Sequence, residues 1–221
     1  MFDKEKIINL SNLNEQDWKK EIGNIYDENP PHDQKTRKKI FCEIYKIFEN
    51  LKLNVWITGG TALGAMRDNN FIEWDDDIDM DMLESDFVPK MYILKELLIE
   101  SDFIVRLKDT NEYPKMVVFK YGMKVAIGSL KESGKFLLRP AYKLPKIFFD
   151  PSKTIKFMGI SVLAPFPPHD YLEYVYGKNW SIPKKIEDDV QLYTNKYLRR
   201  SFLRIILKRI YLKIKNGFRF D

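Results

Sequence analysis

The sequence predicts an α+β fold in which a mixed β-sheet is flanked by helices. Three observations lead to this class. A long helical pattern covers 34–51, an aspartate-rich segment with strand periodicity covers 75–81, and short apolar segments punctuated by glycine fill much of 103–163. A helix followed by a sheet and then by β-hairpins is typical of α+β proteins. With 221 residues, the chain is long enough for one domain with a full hydrophobic core.

Two helical segments are expected before the sheet. We assign 1–32 to a peripheral helical lead that ends at Asn29-Pro30-Pro31, because proline cannot continue a helix. Asp33 can cap the helix that follows over 34–51. The apolar side chains of that helix recur at helical spacing and should face the core: Ile40, Phe41, Ile44, Tyr45, Ile47, Phe48 and Leu51.

A glycine-rich turn follows the first predicted strand, which covers 55–57. Gly59 and Gly60 are adjacent and are followed by Thr61. Two glycines after a strand allow a sharp turn and let backbone N–H groups approach a ligand closely. The short helix expected over 61–67 would favour an anion at its N-terminus. The segment therefore indicates a phosphate-binding loop.

Five aspartates fall within the seven residues from Asp75 to Asp81. If this segment is a strand, its period of two places Asp75, Asp77, Asp79 and Asp81 on one face, and Asp76 on the other. Crowded carboxylates repel one another, and Asp is a poor strand former. Mg²⁺ or Mn²⁺ would offset that repulsion, since both prefer carboxylate oxygens. We expect Asp75, Asp77 and Asp79 to bind metal and Asp81 to be either ligand or bystander; a solvated acidic strand or turn is the alternative.

Another helix and several short strands are expected after the acidic segment. The helix is predicted over 84–100. The strands are predicted over 103–107, 116–121, 124–127, 136–138 and 155–163, with hairpin turns at Gly122, Gly128, Gly134 and Gly159. Prolines over 165–168 end the sheet region. A last helix should begin near His169 and end at Gly177.

The positive charge of the chain is concentrated at its C-terminal end. The net charge is +5, but 190–221 holds nine Lys or Arg and one Asp, which leaves 28 basic and 31 acidic residues elsewhere. A nucleic-acid-binding protein is therefore not expected. The tail over 186–221 is predicted to form a basic amphipathic helix, in which Arg200, Arg204 and Lys208 recur at every fourth residue. Such a helix can lie on an anionic membrane surface; packing on its own domain or against another subunit are the alternatives.

Several features favour a cytoplasmic location. The sequence contains no run of about eighteen apolar residues, the length that a membrane-spanning helix needs. The first residues carry charges of both signs without an apolar run, so no secretory signal is expected there. Cys42 is the one cysteine, which excludes an intrachain disulfide and a cysteine-rich zinc site. We expect a cytoplasmic protein that is peripheral on the membrane if the tail binds lipid.

Two parts of the chain resemble the LicD/fukutin family of the nucleotidyltransferase superfold. The first part comprises GGT at 59–61, LGAMR at 63–67 and FIEWDDDID at 71–79. The second part is weaker by itself and comprises PFP at 165–167, YLE at 171–173, YG at 176–177, Trp180 and Pro183. The similarity covers about 41–183 and implies a nucleotidyltransferase-like catalytic domain over 33–185.

The resemblance implies a metal-dependent transferase. Such an enzyme would move a phospho-substituent, phosphocholine or phospho-alditol, from a CDP-linked donor to a hydroxyl of a glycan or glycolipid. This chemistry belongs to the biosynthesis of lipopolysaccharide or another cell-surface polysaccharide. Asp77 and Asp79 match the paired metal carboxylates of the superfold, and Asp75 matches an additional one of the fukutin-like branch.

The donor phosphates are expected to bind around the glycine loop. Gly59, Gly60 and Thr61 would supply backbone N–H donors. Arg67 could neutralise a donor phosphate or bind an acidic acceptor; the alternative is a salt bridge to one of the aspartates. Lys115 could reach a nucleotide phosphate from a later strand, and the alternative for it is a solvated lysine.

One feature implied by the resemblance has no counterpart in the sequence. Family members carry a further acidic residue on a later strand, suited to act as a general base, whereas the matching stretch at 124–129 is KVAIGS. Glu112 and Glu132 are the two carboxylates considered as substitutes for that general base. Two other functions therefore stay open: a nucleotidyltransferase that transfers NMP from an NTP, and an inactive homologue that binds a nucleotide or a glycan.

Overall fold

The computed structural model describes residues 3–14, 16–18, 20–22, 33–108, 112–140, 142–150 and 152–183. The labelled helices are α1 (Lys4–Asn12), α2 (Gln34–Asn50), α3 (Gly59–Arg67), α4 (Glu84–Phe87), α5 (Met91–Glu100) and α6 (Pro168–Tyr176). The strands are β1 (Val55–Ile57), β2 (Asp77–Leu83), β3 (Ile104–Lys108), β4 (Lys115–Lys120), β5 (Met123–Ser133), β6 (Phe136–Arg139), β7 (Tyr142–Pro145), β8 (Lys153–Phe157) and β9 (Ile160–Ala164). Short 3₁₀ turns cover Val88–Lys90 and Lys146–Phe148.

A mixed sheet with the strand order β3-β4-β5-β2-β1-β9-β8 forms the centre of the described chain. β2 runs parallel to β5 and β1 runs parallel to β9, whereas the other neighbours are antiparallel. β5 extends past β2 to pair with β6, which pairs with β7. The predicted mixed sheet with flanking helices and added hairpins is therefore confirmed.

The two faces of β2 differ in chemistry. Ile78, Met80 and Met82 belong to the hydrophobic core, and none is more than 1% exposed. The opposite face carries Asp77, Asp79 and Asp81, as the period of two predicts. In the parallel pairing with β5, these three aspartates lie opposite Lys124, Ala126 and Gly128. On β5 this face therefore continues with one basic residue and two small residues.

Helix α2 begins at the predicted cap. The Asp33 carboxylate accepts hydrogen bonds from the backbone N–H groups of Lys35 and Thr36, at 2.9 and 3.1 Å. Further along the helix, Phe41 packs edge-on against Phe71 and Phe157, with ring centroids 5.6 and 5.3 Å apart. These contacts fix α2 against the segment that leads into β2.

Three predictions for the chain after β2 differ from the structure. The single helix expected over 84–100 is divided into α4, a 3₁₀ turn and α5, because Pro89 in the turn cannot donate a backbone hydrogen bond. The single strand expected over 155–163 is a hairpin of β8 and β9, which turns at Gly159 with φ at +92°. Gly128 does not form a turn and lies inside β5.

The predicted helical lead is described in part. Helix α1 buries Ile7 and Leu10, and Lys4 pairs with Asp102 at 2.9 Å. Asn29-Pro30-Pro31 and the predicted basic helix of 186–221 lie outside the described residues. Within the described part of the chain, every helix is too short or too polar to cross a membrane.

Candidate active site

The carboxylates of Asp75, Asp76 and Asp77 lie together where the chain enters β2. One carboxylate oxygen of each residue lies within 4.8 Å of one carboxylate oxygen of each of the other two. Asp75 and Asp77 are half-buried, and Asp76 is exposed. The strand begins at Asp77, so the alternation that predicted Asp76 to point away does not extend to it. An all-carboxylate set of this kind could hold a metal ion.

The side chain of Asp79 lies against the glycine loop. Its Oδ2 accepts a hydrogen bond from the backbone N–H of Gly60 at 3.1 Å. The backbone N–H of Asp79 donates to Oγ1 of Thr61 at 2.8 Å, and its carbonyl accepts from the N–H of Thr58 at 3.2 Å. Asp79 therefore ties β2 to the first turn of α3.

The two glycines leave room for the aspartates themselves. Helix α3 begins at Gly59, two residues before its predicted start. An added Cβ at Gly59 would lie 2.1 Å from Oδ2 of Asp79, and one at Gly60 would lie 2.0 Å from Oδ2 of Asp75. Gly59 also has φ at +51°, which side chains of L-residues rarely adopt. Any side chain at either position would therefore displace a carboxylate.

Burial and mutual repulsion raise the pKa of the site aspartates. Burial, followed by the charges of Asp77 and Asp76, raises the pKa of Asp75 to about 6. Burial, followed by the charge of Asp77, raises the pKa of Asp79 to about 8. Burial also raises the pKa of Asp77, although Lys124 acts against it. A divalent cation would favour the ionised carboxylates, so the residues present fit a hard metal ion.

Lys124 of β5 pairs with two of the triad carboxylates. Its Nζ lies 3.1 Å from Oδ2 of Asp77 and 3.4 Å from Oδ2 of Asp76. Burial disfavours the charged form of Lys124, but Asp77 and Asp76 outweigh it and raise the lysine pKa. The resemblance implied a carboxylate on a later strand, and the β5 residue that faces Asp77 is instead this lysine.

Asp81 is fully buried and separate from the triad. Its Oδ2 accepts hydrogen bonds from Oγ1 of Thr58 at 2.7 Å and from Nη1 of Arg139 at 2.6 Å. Its Oδ1 has no hydrogen-bond partner among the described residues. That oxygen lies against Gly128, where an added Cβ would be 2.2 Å away. Gly128 is therefore needed inside β5 to make room for Asp81.

Two arginines that the sequence reasoning missed support this arrangement. Arg37 is 1% exposed and donates to the backbone carbonyls of Ile72, Glu73 and Asp75. Its position in the apolar stripe of α2 is a signal that could have identified it. Arg139 reaches Asp81 from β6, and no local sequence pattern marks that pairing.

Helix α6 brings the second segment that resembles the family to the glycine loop through Tyr171. Burial, followed by the charge of Asp81, raises the pKa of Tyr171, whereas a backbone hydrogen bond with Gly59 acts in the opposite direction. The Tyr171 ring packs edge-on against Phe148 and Phe149, with centroids 5.7 and 6.2 Å apart. The two separated segments therefore meet in space.

Arg67 lies at the end of α3, and Lys115 lies at the start of β4. Arg67 pairs with its neighbour Asp68, with Nη2 2.7 Å from Oδ2. Lys115 begins β4 opposite Gly128, and Gly128 lies opposite Asp81, so both residues share one sheet face. With neighbouring strands about 4.8 Å apart, the Cα atoms of Lys115 and Asp81 lie roughly 10 Å from each other.

Comparison with known proteins places the site in a family. Residues 52–166, more than half of the chain, match the family model described as the LicD/FKTN/FKRP nucleotidyltransferase domain. The ribitol-5-phosphate transferase FKTN of Mus musculus is 25% identical over 168 residues, which cover 70% of this chain and 35% of that protein. The uncharacterized protein RT0683 of Rickettsia typhi is 27% identical over 143 residues, which cover 62% of this chain and 44% of that protein. The chain thus spans less than half the length of these relatives.

Two solved structures of ANT(2″)-Ia are also similar to this chain. The crystal structure with adenylyl-2″-tobramycin is 14% identical, with a TM-score of 0.45, and the match covers 80% of this chain and 94% of that chain. The solution structure is 14% identical, with a TM-score of 0.47, and the match covers 83% of this chain and 97% of that chain. At these values neither structure supports a statement about this chain. From the match over 52–166, the protein belongs to the LicD/FKTN/FKRP nucleotidyltransferase-domain family.

Proposed function

We propose that the protein is a metal-dependent transferase that moves a phospho-substituent from a CDP-linked donor to a hydroxyl of a glycan or glycolipid. The observation that carries the proposal is the packing of Asp75 and Asp79 against Gly60 and Gly59 at the start of α3. Family membership and the relative named ribitol-5-phosphate transferase support this reaction class. Phospho-alditol is the first group to test, followed by phosphocholine.

Asp75, Asp77 and Asp79 would hold a Mg²⁺ or Mn²⁺ ion. Asp75 and Asp77 belong to the triad whose oxygens lie within 4.8 Å, and Asp79, two residues after Asp77 on β2, accepts a hydrogen bond from the glycine loop at Gly60. A divalent ion held by these residues would supply positive charge against the donor phosphates and against the charge that develops on the leaving oxygen. The high pKa values of Asp75 and Asp79 support this assignment, because a cation compensates buried negative charge.

The first turn of α3 would position the donor phosphates. Helix α3 spans nine residues; in its first turn the Gly60 N–H donates to Asp79, and the Thr61 N–H has no partner within the helix. The Thr61 N–H and the positive end of the helix dipole favour a phosphate. Thr61 keeps this turn in place, because its Oγ1 accepts the Asp79 N–H. Loop and strand thus form one rigid platform for phosphoryl transfer.

The experiment is an assay of CMP release. The protein is incubated with CDP-ribitol, CDP-glycerol or CDP-choline and glycan acceptors, with Mg²⁺, with Mn²⁺ or with EDTA. We expect CMP to appear from one donor only when metal is present. Lys146→Gln is the matched control variant, because Lys146 is exposed and pairs with Glu132 outside the site. Pyrophosphate release from CTP without CMP release would instead identify a nucleotidyltransferase.

A second candidate is an inactive homologue that binds a nucleotide or glycan. It is favoured by Lys124, which meets Asp77 where the resemblance implied a carboxylate. Calorimetry separates the two functions: a binding module would retain affinity for CDP in Mg²⁺ and release no CMP from any donor. Membrane attachment through 186–221 stays a prediction for that segment, to be tested by sedimentation with anionic vesicles.

A further inference from the structure

Asp81 and Arg139 form an ion pair beside the glycine loop. The guanidinium Nη1 lies 2.6 Å from Oδ2 of Asp81. The Asp81 side chain is 0% exposed, whereas the Arg139 side chain is 25% exposed. The pair therefore has a buried acidic end and a basic end that remains accessible to solvent.

Three contacts hold Asp81 as an anchor and leave it poorly placed to bind metal. Its Oδ2 is already bound by both Thr58 and Arg139. Its Oδ1 lies against Gly128, where even a Cβ would be 2.2 Å away. Thr58 directly precedes Gly59, so Asp81 links the Arg139 side chain to the residue that begins the glycine loop.

The charge of Arg139 acts on the carboxylates of the site. It lowers the pKa of Asp79 and Asp77 against the larger effect of their burial. Arg139 and Thr58 bind the same oxygen of Asp81, and Thr58 directly precedes the glycine loop, so the guanidinium lies near enough to that loop to meet an anion bound there. A guanidinium presents several N–H donors in one plane and suits phosphate oxygens.

A structural role alone explains the pair less well. An ion pair with a buried member gives little net stability, because removing the Asp81 charge from water offsets much of its attraction to Arg139. Here, in addition, Gly128 is required to make space, since an added Cβ would be 2.2 Å from Asp81 and 3.9 Å from Cζ of Arg139. A merely structural link between β6 and β2 could use apolar side chains instead.

We propose that Arg139, held by Asp81, binds the diphosphate of the nucleotide donor, and that Asp81 positions Arg139 and is not a metal ligand. The proposal rests on the proposed function in taking a nucleotide diphosphate as the donor. The donor diphosphate would thus meet two positive groups, the Arg139 guanidinium of β6 and the N-terminus of α3.

The test compares binding of CDP, measured by calorimetry in Mg²⁺, with binding of Mn²⁺ alone, measured by electron paramagnetic resonance. We expect Arg139→Gln to weaken CDP binding by about tenfold to hundredfold, as for loss of a charge-assisted hydrogen bond. Mn²⁺ affinity should stay within about twofold of the wild type, since no metal ligand is removed. Asp81→Asn should weaken CDP binding and leave Mn²⁺ binding intact.

Two further variants keep the test decisive. Arg139→Gln with Asp81→Asn leaves no buried charge without a partner, so this double variant should fold and still lose CDP affinity. Lys146→Gln removes an exposed positive charge just after β7 and should bind CDP like the wild type. Unchanged CDP affinity in the double variant would overturn the proposal. A loss of Mn²⁺ affinity above about tenfold in Asp81→Asn would overturn the anchoring role.

The result for the wild type separates this inference from the proposed function. A wild-type protein that binds Mn²⁺ but no CDP contradicts both. A wild-type protein that binds CDP while Arg139→Gln binds it equally well contradicts this inference alone.

Discussion

The carboxylate of Asp79 accepts a hydrogen bond from the backbone N–H of Gly60, with 3.1 Å between Oδ2 and N. The glycine loop and the acidic strand are thus one unit, although they are separate motifs in the sequence. The absence of side chains at Gly59 and Gly60 is what lets the carboxylates approach the start of α3. Changes to these glycines should therefore act through the aspartates.

Gly60→Ala should impair metal binding more than folding. Its Cβ would lie 2.0 Å from Oδ2 of Asp75, which is the mobile end of a side chain and can swing away. We expect Mn²⁺ affinity to fall by at least about tenfold, with little change in the melting temperature. The double variant with Asp75→Ala removes the clash and should melt like Asp75→Ala alone. A Gly60→Ala protein with wild-type Mn²⁺ affinity would contradict the packing argument.

Gly59→Ala should destabilise the fold as well. Here the added Cβ meets Oδ2, Cγ and Cβ of Asp79, and φ at +51° is strained for alanine. The cost should be about 1–3 kcal/mol of unfolding free energy, from urea denaturation. As a control, Gly134→Asn lies in a turn at φ +57° with nothing within 4 Å of a Cβ, and asparagine tolerates that conformation. Equal stability losses in the two variants would contradict a specific role for Gly59.

In EDTA the protein should lose stability as the pH rises from about 4 to 8. The folded pKa values of Asp75, about 6, and Asp79, about 8, exceed the ordinary value of 3.8. Between these values the folded state holds protons that the unfolded state has released. The contribution of Asp75 and Asp79 to stability is therefore complete below pH 4 and is lost as the pH rises through 6 and 8. Melting temperatures from pH 5 to 8 check this, and Asp79→Asn should flatten the slope. A slope unchanged in that variant would contradict the assignment.

Metal affinity should follow the opposite pH trend. Metal-binding carboxylates must be ionised, so binding releases protons from Asp75 and Asp79. We expect Mn²⁺ affinity to rise from pH 6 to pH 8, and the metal-induced rise in melting temperature to grow over the same range. A Mn²⁺ affinity that is flat over this range would show that these groups are already ionised without metal.

Asp77→Asn and Asp79→Asn should each abolish CMP release while the fold melts normally or slightly later in EDTA. Each change removes an acid whose ionised form is disfavoured by burial and by neighbouring aspartates, so stability is kept or gained. Asp76→Asn should cost less activity, because Asp76 is exposed. If Asp76→Asn abolishes turnover and Asp79→Asn does not, the metal is held by the triad of consecutive aspartates. Wild-type turnover in Asp77→Asn would refute the metal site.

Arg37→Met should destabilise the protein and disturb the metal site together. The buried guanidinium donates to three backbone carbonyls of the segment that carries Asp75. Leaving these carbonyls without donors should cost at least about 2 kcal/mol, measured by urea denaturation. Arg37→Lys should recover only part of it, since one ammonium cannot reach all three carbonyls. A melting temperature within a degree of the wild type would contradict this role.

The sequence alone determined the local elements whose cause is local. The alternation of aspartate and apolar residues in β2, the stripe and cap of α2, and the glycines in the turns at Gly122 and Gly159 follow from neighbouring residues and were predicted correctly. The position of Gly128 was predicted wrongly, because the glycine is there to leave room for Asp81 on another strand and not to form a turn.

Tertiary structure decided which side chains meet. The pairing of β2 with β5 sets Lys124 against Asp77, and the β5–β6–β7 extension carries Arg139 to Asp81. Helix α6 brings Tyr171 to Gly59. These contacts join residues far apart in the chain, and hydrophobic periodicity specifies which face a residue occupies but not which distant residue lies across from it.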